Sequence, residues 1–361
     1  MAAPSRHSDG SPAIRRAGRV AAVAAFGFSL WSAPVAAGGA PKPTASVTAV
    51  FGRSNPTARW HEDELSITTG PSETTYQVFY PSDYRALGFK SPIVAWGNGT
   101  GSAPTSAFYR TLVADLVSWG FTVVAPDLAN TGSGSQVLAG ARLLVAAAGH
   151  RGPFFHHLAT NEVAAAGHSQ GATGAVRAAL AGPSLIRAVM TFSLPWNGQG
   201  PRGSSFSANP GAPHGWSAPN QDCPTWQICW ADPGAMRQPT FLVSTHGPVD
   251  GAIAPPAVEQ CYLDELRAPS ALGIVLDSPS DSGERADHDA ISATPTALLG
   301  YATAWLLYRL RHDAAAAKAF TGPDPQLLAD RNWPGSSVTH GGPAPAGRCD
   351  DHVAGAPSPL G

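Results

Sequence analysis

The chain has 361 residues, a net charge of −2, and 13% charged against 43% hydrophobic residues. No basic patch marks a nucleic-acid partner and no acidic run marks a solvating tail. The apolar fraction supports a sizeable core, and the length suits one large α/β domain or two small ones.

At the start of the chain, Arg15, Arg16 and Arg19 form a positive segment and Val20 to Trp31 a short apolar one. Ala33-Pro34-Val35-Ala36-Ala37 then supplies small residues. This is the order of an export signal cleaved after Ala36 or Ala37. Residues 1–38 are therefore expected to be a signal peptide, and the protein secreted or periplasmic. The apolar run is short for a membrane span. The residues after the twin arginine Arg15-Arg16 do not fit the export route of that name.

From about residue 44 to 312, short apolar strands alternate with helical segments. Strands are expected at Ser46 to Phe51, Tyr76 to Tyr80, Ile93 to Trp96, Thr122 to Ala125, Val163 to Ala166, Ala188 to Phe192, Thr240 to Val243 and Leu272 to Leu276. Helices are expected at Ser106 to Trp119, Ser135 to Ala148, Gln170 to Ala181, Pro256 to Leu266 and Thr294 to Arg311. Several strands are unbroken Val/Ile/Phe runs, as in sheets covered on both faces. The alternation predicts an α/β fold with a mostly parallel central sheet and helices on both faces. The last helix is apolar, but Thr303, Tyr308 and Arg309 interrupt it, so it reads as a buried packing helix.

Gly167-His168-Ser169-Gln170-Gly171 has the form G-x-S-x-G, between an apolar strand and an alanine-rich helix. That context predicts the nucleophile elbow of an α/β-hydrolase fold, with Ser169 as nucleophile. The sharp turn crowds the positions two before and two after the serine, and glycine fills both.

A serine hydroxyl needs a histidine base, and the base needs a carboxylate to fix its tautomer. In this fold the chain order is serine, acid, histidine. The loop after the strand at Thr240 contains Asp250, which is the expected acid; Asp264, Asp277 and Asp281 compete. The loop after the strand at Leu272 contains His288, the expected base, with His246 and His340 as weaker candidates. Asp287 and Asp289 flank His288, but one histidine between two aspartates is a thin metal signature, and no metal is expected. The oxyanion hole needs backbone N–H groups. These are expected from Gln170, after the nucleophile, and from Asn98 in the loop Trp96-Gly97-Asn98-Gly99-Thr100-Gly101, with Gly99 as the fallback donor. No cofactor is implied.

Asn197 to Gln238 is long, irregular and rich in Gly, Pro, Ser and Trp, and it precedes the acid strand. A stretch of this kind is often a lid, and it is read as an insertion over the active-site face. Four cysteines in an exported chain favour disulfides. Of three connectivities, Cys223–Cys229 with Cys261–Cys349 is favoured. The hydrolase domain is placed at 39–333, and the tail 334–361 is expected to be poorly ordered.

Several of these motifs, in this order, resemble the bacterial cutinase and polyester-hydrolase family, which includes the PET-degrading hydrolases. They are Gly97 to Gly101, Ser118 to Ala125, Gly167 to Gly171, Leu194-Pro195-Trp196, Asp250 to Ala254 and Asp287-His288. Asn98 stands where the family has a tyrosine, and Gln170 where it has a methionine. The resemblance implies a secreted serine esterase that cleaves carboxylic esters through an acyl-enzyme, with Trp196 flanking the substrate ester. A lipase, a polyhydroxyalkanoate depolymerase or a peptidase would share the mechanism. An acyltransferase would exclude water, and a non-catalytic binding protein on a hydrolase scaffold would hold residues 169, 250 and 288 apart. The expected partner is a small ester, lipid or polyester, bound by a monomer without stable membrane insertion.

Overall fold

The computed structural model describes residues 46–69, 73–150, 155–195, 235–275, 287–293 and 295–342. Their centre is a nine-stranded sheet ordered β1-β2-β4-β3-β5-β6-β7-β8-β9. The strands are β1 Glu62–Thr69, β2 Thr74–Pro81, β3 Ser91–Gly97, β4 Thr122–Pro126, β5 Leu158–His168, β6 Ile186–Phe192, β7 Thr240–Thr245, β8 Ala271–Val275 and β9 Ser337–Val338. The six from β4 to β8 run parallel. β1 and β2 at one edge and β9 at the other are antiparallel. This is an α/β architecture with a mostly parallel, mixed sheet.

The principal helices are α1 Val47–Phe51, α2 Ala107–Ser118, α3 Ser135–His150, α4 Gln170–Ala181, α5 Pro248–Ile253, α6 Pro256–Glu265 and α7 Pro295–Arg311. Successive strand residues point to opposite faces, and two apolar clusters follow. Val94, Trp96, Ala164 and Ala166 meet α1, α2 and α7 on one face. Ile93, Ala95, Val163 and Ala165 meet α3, α4 and α6 on the other. The apolar last helix, α7, is a core element: Trp305 is buried and its indole N–H donates to the Val189 carbonyl at 3.0 Å. Among the described residues no helix is long and apolar enough to cross a membrane.

The central strands and the helices α2, α3, α4, α6 and α7 lie where the sequence pattern predicts them. Four differences have physical causes. Residues 46–51, expected as a strand, form a helical turn. Ser46 Oγ caps it by accepting from the Ala49 N–H at 3.2 Å, and Val47 and Phe51, four apart, share the buried side. Gly300 of α7 lets that turn approach closely, since a Cβ there would lie 2.9 Å from Thr48 Cα. β1 was hidden by its charge: Glu-Asp-Glu opens an edge strand paired only with β2. The acid loop closes into the short helix α5. Ser337 and Val338, assigned to the poorly ordered tail, pair with Leu272 and Ala271 of β8.

The expected signal peptide at 1–38, Trp196, residues 197–234 of the insertion, Cys223, Cys229 and Cys349 lie outside the described residues. Cys261 is buried on α6.

Candidate active site

β3, β5, β6, β7 and β8 all end on one edge of the sheet, and the functional candidates follow them there. Open parallel sheets bind ligands beyond their carboxyl ends. β5 turns directly into α4 at Ser169, which sits at φ +55° and ψ −128°. A non-glycine residue held there stores about 1–3 kcal/mol of strain. The turn is feasible because three glycines stack backbone to backbone. A Cβ on Gly97 would stand 2.6 Å from the Gly171 carbonyl oxygen, and a Cβ on Gly167 or Gly171 would overlap the Gly171 or Gly97 carbonyl. Thus the glycine spacing read from the sequence has a steric cause.

His288 Nε2 lies 3.0 Å from Ser169 Oγ, and its Nδ1 lies 2.8 Å from Asp250 Oδ1. The carboxylate can only accept from Nδ1–H, so Nε2 is free to accept from the serine hydroxyl. Asp250 is fully buried. Its second oxygen accepts from the Thr245 N–H (3.1 Å), the Thr245 hydroxyl (2.8 Å) and the Ser193 hydroxyl (2.9 Å). Those bonds offset the desolvation of a buried carboxylate.

Asp287 ties the acid and base segments together. Its Oδ1 accepts from the backbone N–H groups of His288 at 2.8 Å and Asp250 at 2.9 Å, and its Oδ2 from that of Val249 at 3.1 Å. It thereby caps α5 from another segment of chain. Gly247 makes room for it, since a Cβ there would overlap the Asp287 carboxyl group. Glu259 of α6 is fully buried, and burial, reinforced by the neighbouring Asp250 charge, pushes its carboxyl well above the usual carboxylate range. Its Oε1 accepts from the Leu194 N–H at 3.0 Å.

The glycine-rich loop after β3 packs beside the elbow. The Asn98 backbone carbonyl accepts from the Thr131 hydroxyl at 2.9 Å, and the Asn98 side-chain Nδ2 donates to the Pro126 carbonyl at 2.9 Å. Gln170 spans to the facing loop: its Nε2 donates to the Ala129 carbonyl (2.9 Å), and its Oε1 accepts from the Gly132 N–H (3.0 Å). As the first residue of α4, Gln170 has an N–H without an intrahelical acceptor. The Gly99 N–H donates to the Tyr109 hydroxyl at 2.7 Å. Gly99 is thereby corrected as the fallback oxyanion donor, because its amide is already engaged.

No protein-family model and no curated protein matches this chain.

Ser169, His288 and Asp250 are thus brought into one hydrogen-bonded series, with Asn98 on the loop after β3 and Gln170 at the start of α4. Of the competing residues, Asp264 accepts from Gln260 within α6, and Asp277 and Asp281 fall outside the described residues. His246 is exposed on the acid loop, and His340 follows β9. Among the described residues no group of three His, Cys, Asp or Glu could hold a metal ion. Sequence reasoning did not find Ser193, Thr245, Asp287 or Glu259 as supports. Thr245 and Asp287 stand in the two loops already singled out, so their nearness was a usable signal. Ser193 and Glu259 come from elements joined only by the fold.

Proposed function

We propose that the chain is a serine hydrolase on an α/β-hydrolase fold, cleaving carboxylic ester bonds through an acyl-enzyme. The observation that carries this reading is the unbroken Ser169–His288–Asp250 series, with spacings of 3.0 and 2.8 Å, at the carboxyl edge of a parallel sheet. A binding protein on the same scaffold has no need of that alignment. His288 takes the Ser169 proton as Oγ attacks the ester carbonyl. Asp250 holds the Nδ1–H tautomer and stabilises the imidazolium. The N–H groups of Asn98 and Gln170 stabilise the tetrahedral oxyanion. His288 then returns the proton to the leaving alcohol, and water, activated by the same base, releases the acid. The motif order supports a cutinase- or polyesterase-like substrate, with Trp196 flanking the ester as the resemblance implies, and the export-type start of the chain supports action outside the cytoplasm.

The test is hydrolysis of p-nitrophenyl esters across a chain-length series by wild type and Ser169→Ala. The variant is expected to keep its fold and lose turnover by roughly 10³-fold or more. The chain-length optimum separates a cutinase-like from a lipase-like cleft. Equal activity in the two proteins would remove Ser169 from the mechanism and return the binding reading to first place.

A further inference from the structure

His168, the residue before the nucleophile, is buried against Phe108, Tyr109 and His288. It is 3% exposed. Its Nε2 lies 2.9 Å from the backbone carbonyl of His288, and its Nδ1 lies 3.2 Å from the Tyr109 hydroxyl. A carbonyl only accepts, so Nε2 carries the proton. Burial, with His288 close by, pushes the ring down to about 3 and keeps it neutral. Nδ1 must then accept from the Tyr109 O–H. The same hydroxyl oxygen accepts from the Gly99 N–H at 2.7 Å. Ser102 also hydrogen-bonds the Tyr109 hydroxyl; with the His168 ring neutral the series runs from Gly99 N–H to Tyr109, Tyr109 to His168, and His168 to His288.

This series joins the two parts of the site that must be held in register. One end is the peptide between Asn98 and Gly99, pinned by Thr131 at its carbonyl and by Tyr109 at its N–H. The other end is the backbone of the base. Tyr109 is fully buried on α2, its ring set edge-on to Trp96 at 5.2 Å, so the hydroxyl has little freedom to wander. Gly99 carries no side chain because a Cβ would stand 2.9 Å from both the Tyr109 hydroxyl and His168 Nδ1.

Resting on the esterase reading above, we propose that Tyr109 is a positioning residue that, through neutral His168, sets the separation between the oxyanion loop and the general base. Its hydroxyl touches no substrate. It fixes where the Asn98 N–H points relative to His288.

The test is Tyr109→Phe, which keeps the ring and removes the hydroxyl, with His168→Gln, which keeps an N–H for the His288 carbonyl but has no ring nitrogen at the Nδ1 position that faces Tyr109. Each variant is expected to lose kcat on p-nitrophenyl esters by roughly 10- to 100-fold, the penalty of a small misplacement, with KM within about twofold. The double variant is expected to be no worse than the poorer single one, because both break the same series. A purely structural role would lower Tm and leave kcat of the folded protein unmoved. Tyr109→Phe with kcat within twofold of wild type, a loss in KM alone, or losses that multiply in the double variant would overturn the proposal. Should Tyr109→Phe not fold by circular dichroism, His168→Gln decides by the same kcat and KM criteria. A fluorophosphonate probe separates the two readings. Wild type that neither turns over ester nor labels at Ser169 overturns both, whereas labelled, active wild type beside an unchanged Tyr109→Phe overturns the positioning role alone.

Discussion

Asp115 gives the sharpest stability prediction. It lies on α2 facing α7, 2% exposed, among the aromatic and aliphatic side chains of the larger core cluster. One oxygen accepts from the Thr303 hydroxyl at 2.8 Å, and the other has no hydrogen-bond partner among the described residues. Burial pushes the carboxyl from 3.8 up to about 7, against the opposing pull of the Thr303 bond. The unfolded chain releases this proton near 3.8 and the folded chain holds it to about 7. Between those values the folded state binds more protons, so stability falls as pH rises through the window and levels off above it. Three pKa units correspond to about 4 kcal/mol. Asp115→Asn keeps the shape and the acceptor for Thr303 but cannot ionise. In urea denaturation at pH 4.5 and pH 8, the variant is expected to gain on wild type by about 3 kcal/mol between the lower and the higher pH. Every other titrating group is common to both proteins, so this difference of differences isolates Asp115. Parallel pH dependences would refute the buried-carboxyl reasoning.

Two further outcomes follow from the site. Asp250→Asn keeps the shape but favours the wrong tautomer of His288, and kcat is expected to fall by roughly 10³- to 10⁴-fold with a small change in KM; a loss under tenfold would remove Asp250 from the acid role. Gly247→Ala forces its methyl against Asp287, and is expected to destabilise by about 1–3 kcal/mol and to lower kcat as the clamp on His288 and α5 shifts. Unchanged urea midpoint and turnover would show that Asp287 holds nothing.

What could be read from the sequence was what short-range sterics impose. Gly167 and Gly171 are obligatory because backbone meets backbone across the turn, and that need is written at fixed spacing around Ser169. The buried parallel strands show as apolar runs for an equally local reason: both faces are covered. β1 broke that rule, since Glu62, Asp63 and Glu64 sit on an edge strand where charge is tolerated, Glu62 meeting Arg110 of α2. Residues 46–51 were misread because Val, Thr and Phe suit a strand, while the deciding factor is a docking site on α7, some 250 residues away. That Asp250 and His288 meet agrees with the chain order from which they are singled out, and their acid and base roles belong to the proposed mechanism. Their supports were less legible: the Ser193 hydroxyl, 57 residues from Asp250, reaches it only because β6 lies beside β7. Gly99 stood as a fallback donor because the direction of an amide depends here on Tyr109, which no local pattern names.

The site is distributed across neighbouring strands in a way that makes turnover a gauge of their alignment. Ser169 follows β5, Ser193 follows β6, Asp250 lies beyond β7 and the base segment beyond β8. A slip of one residue between two such strands exchanges the faces of every side chain on the slipped strand. It would also withdraw one member of the series by about the rise of a residue, roughly 3.3 Å, beyond hydrogen-bond reach. A chain with all its helices and strands formed but one pairing out of step would look native by secondary structure and be chemically silent. On the proposed esterase reading, the alignment of four adjacent strands therefore serves chemistry as well as burial, and a slip in the interior of this sheet costs more than one at its edges.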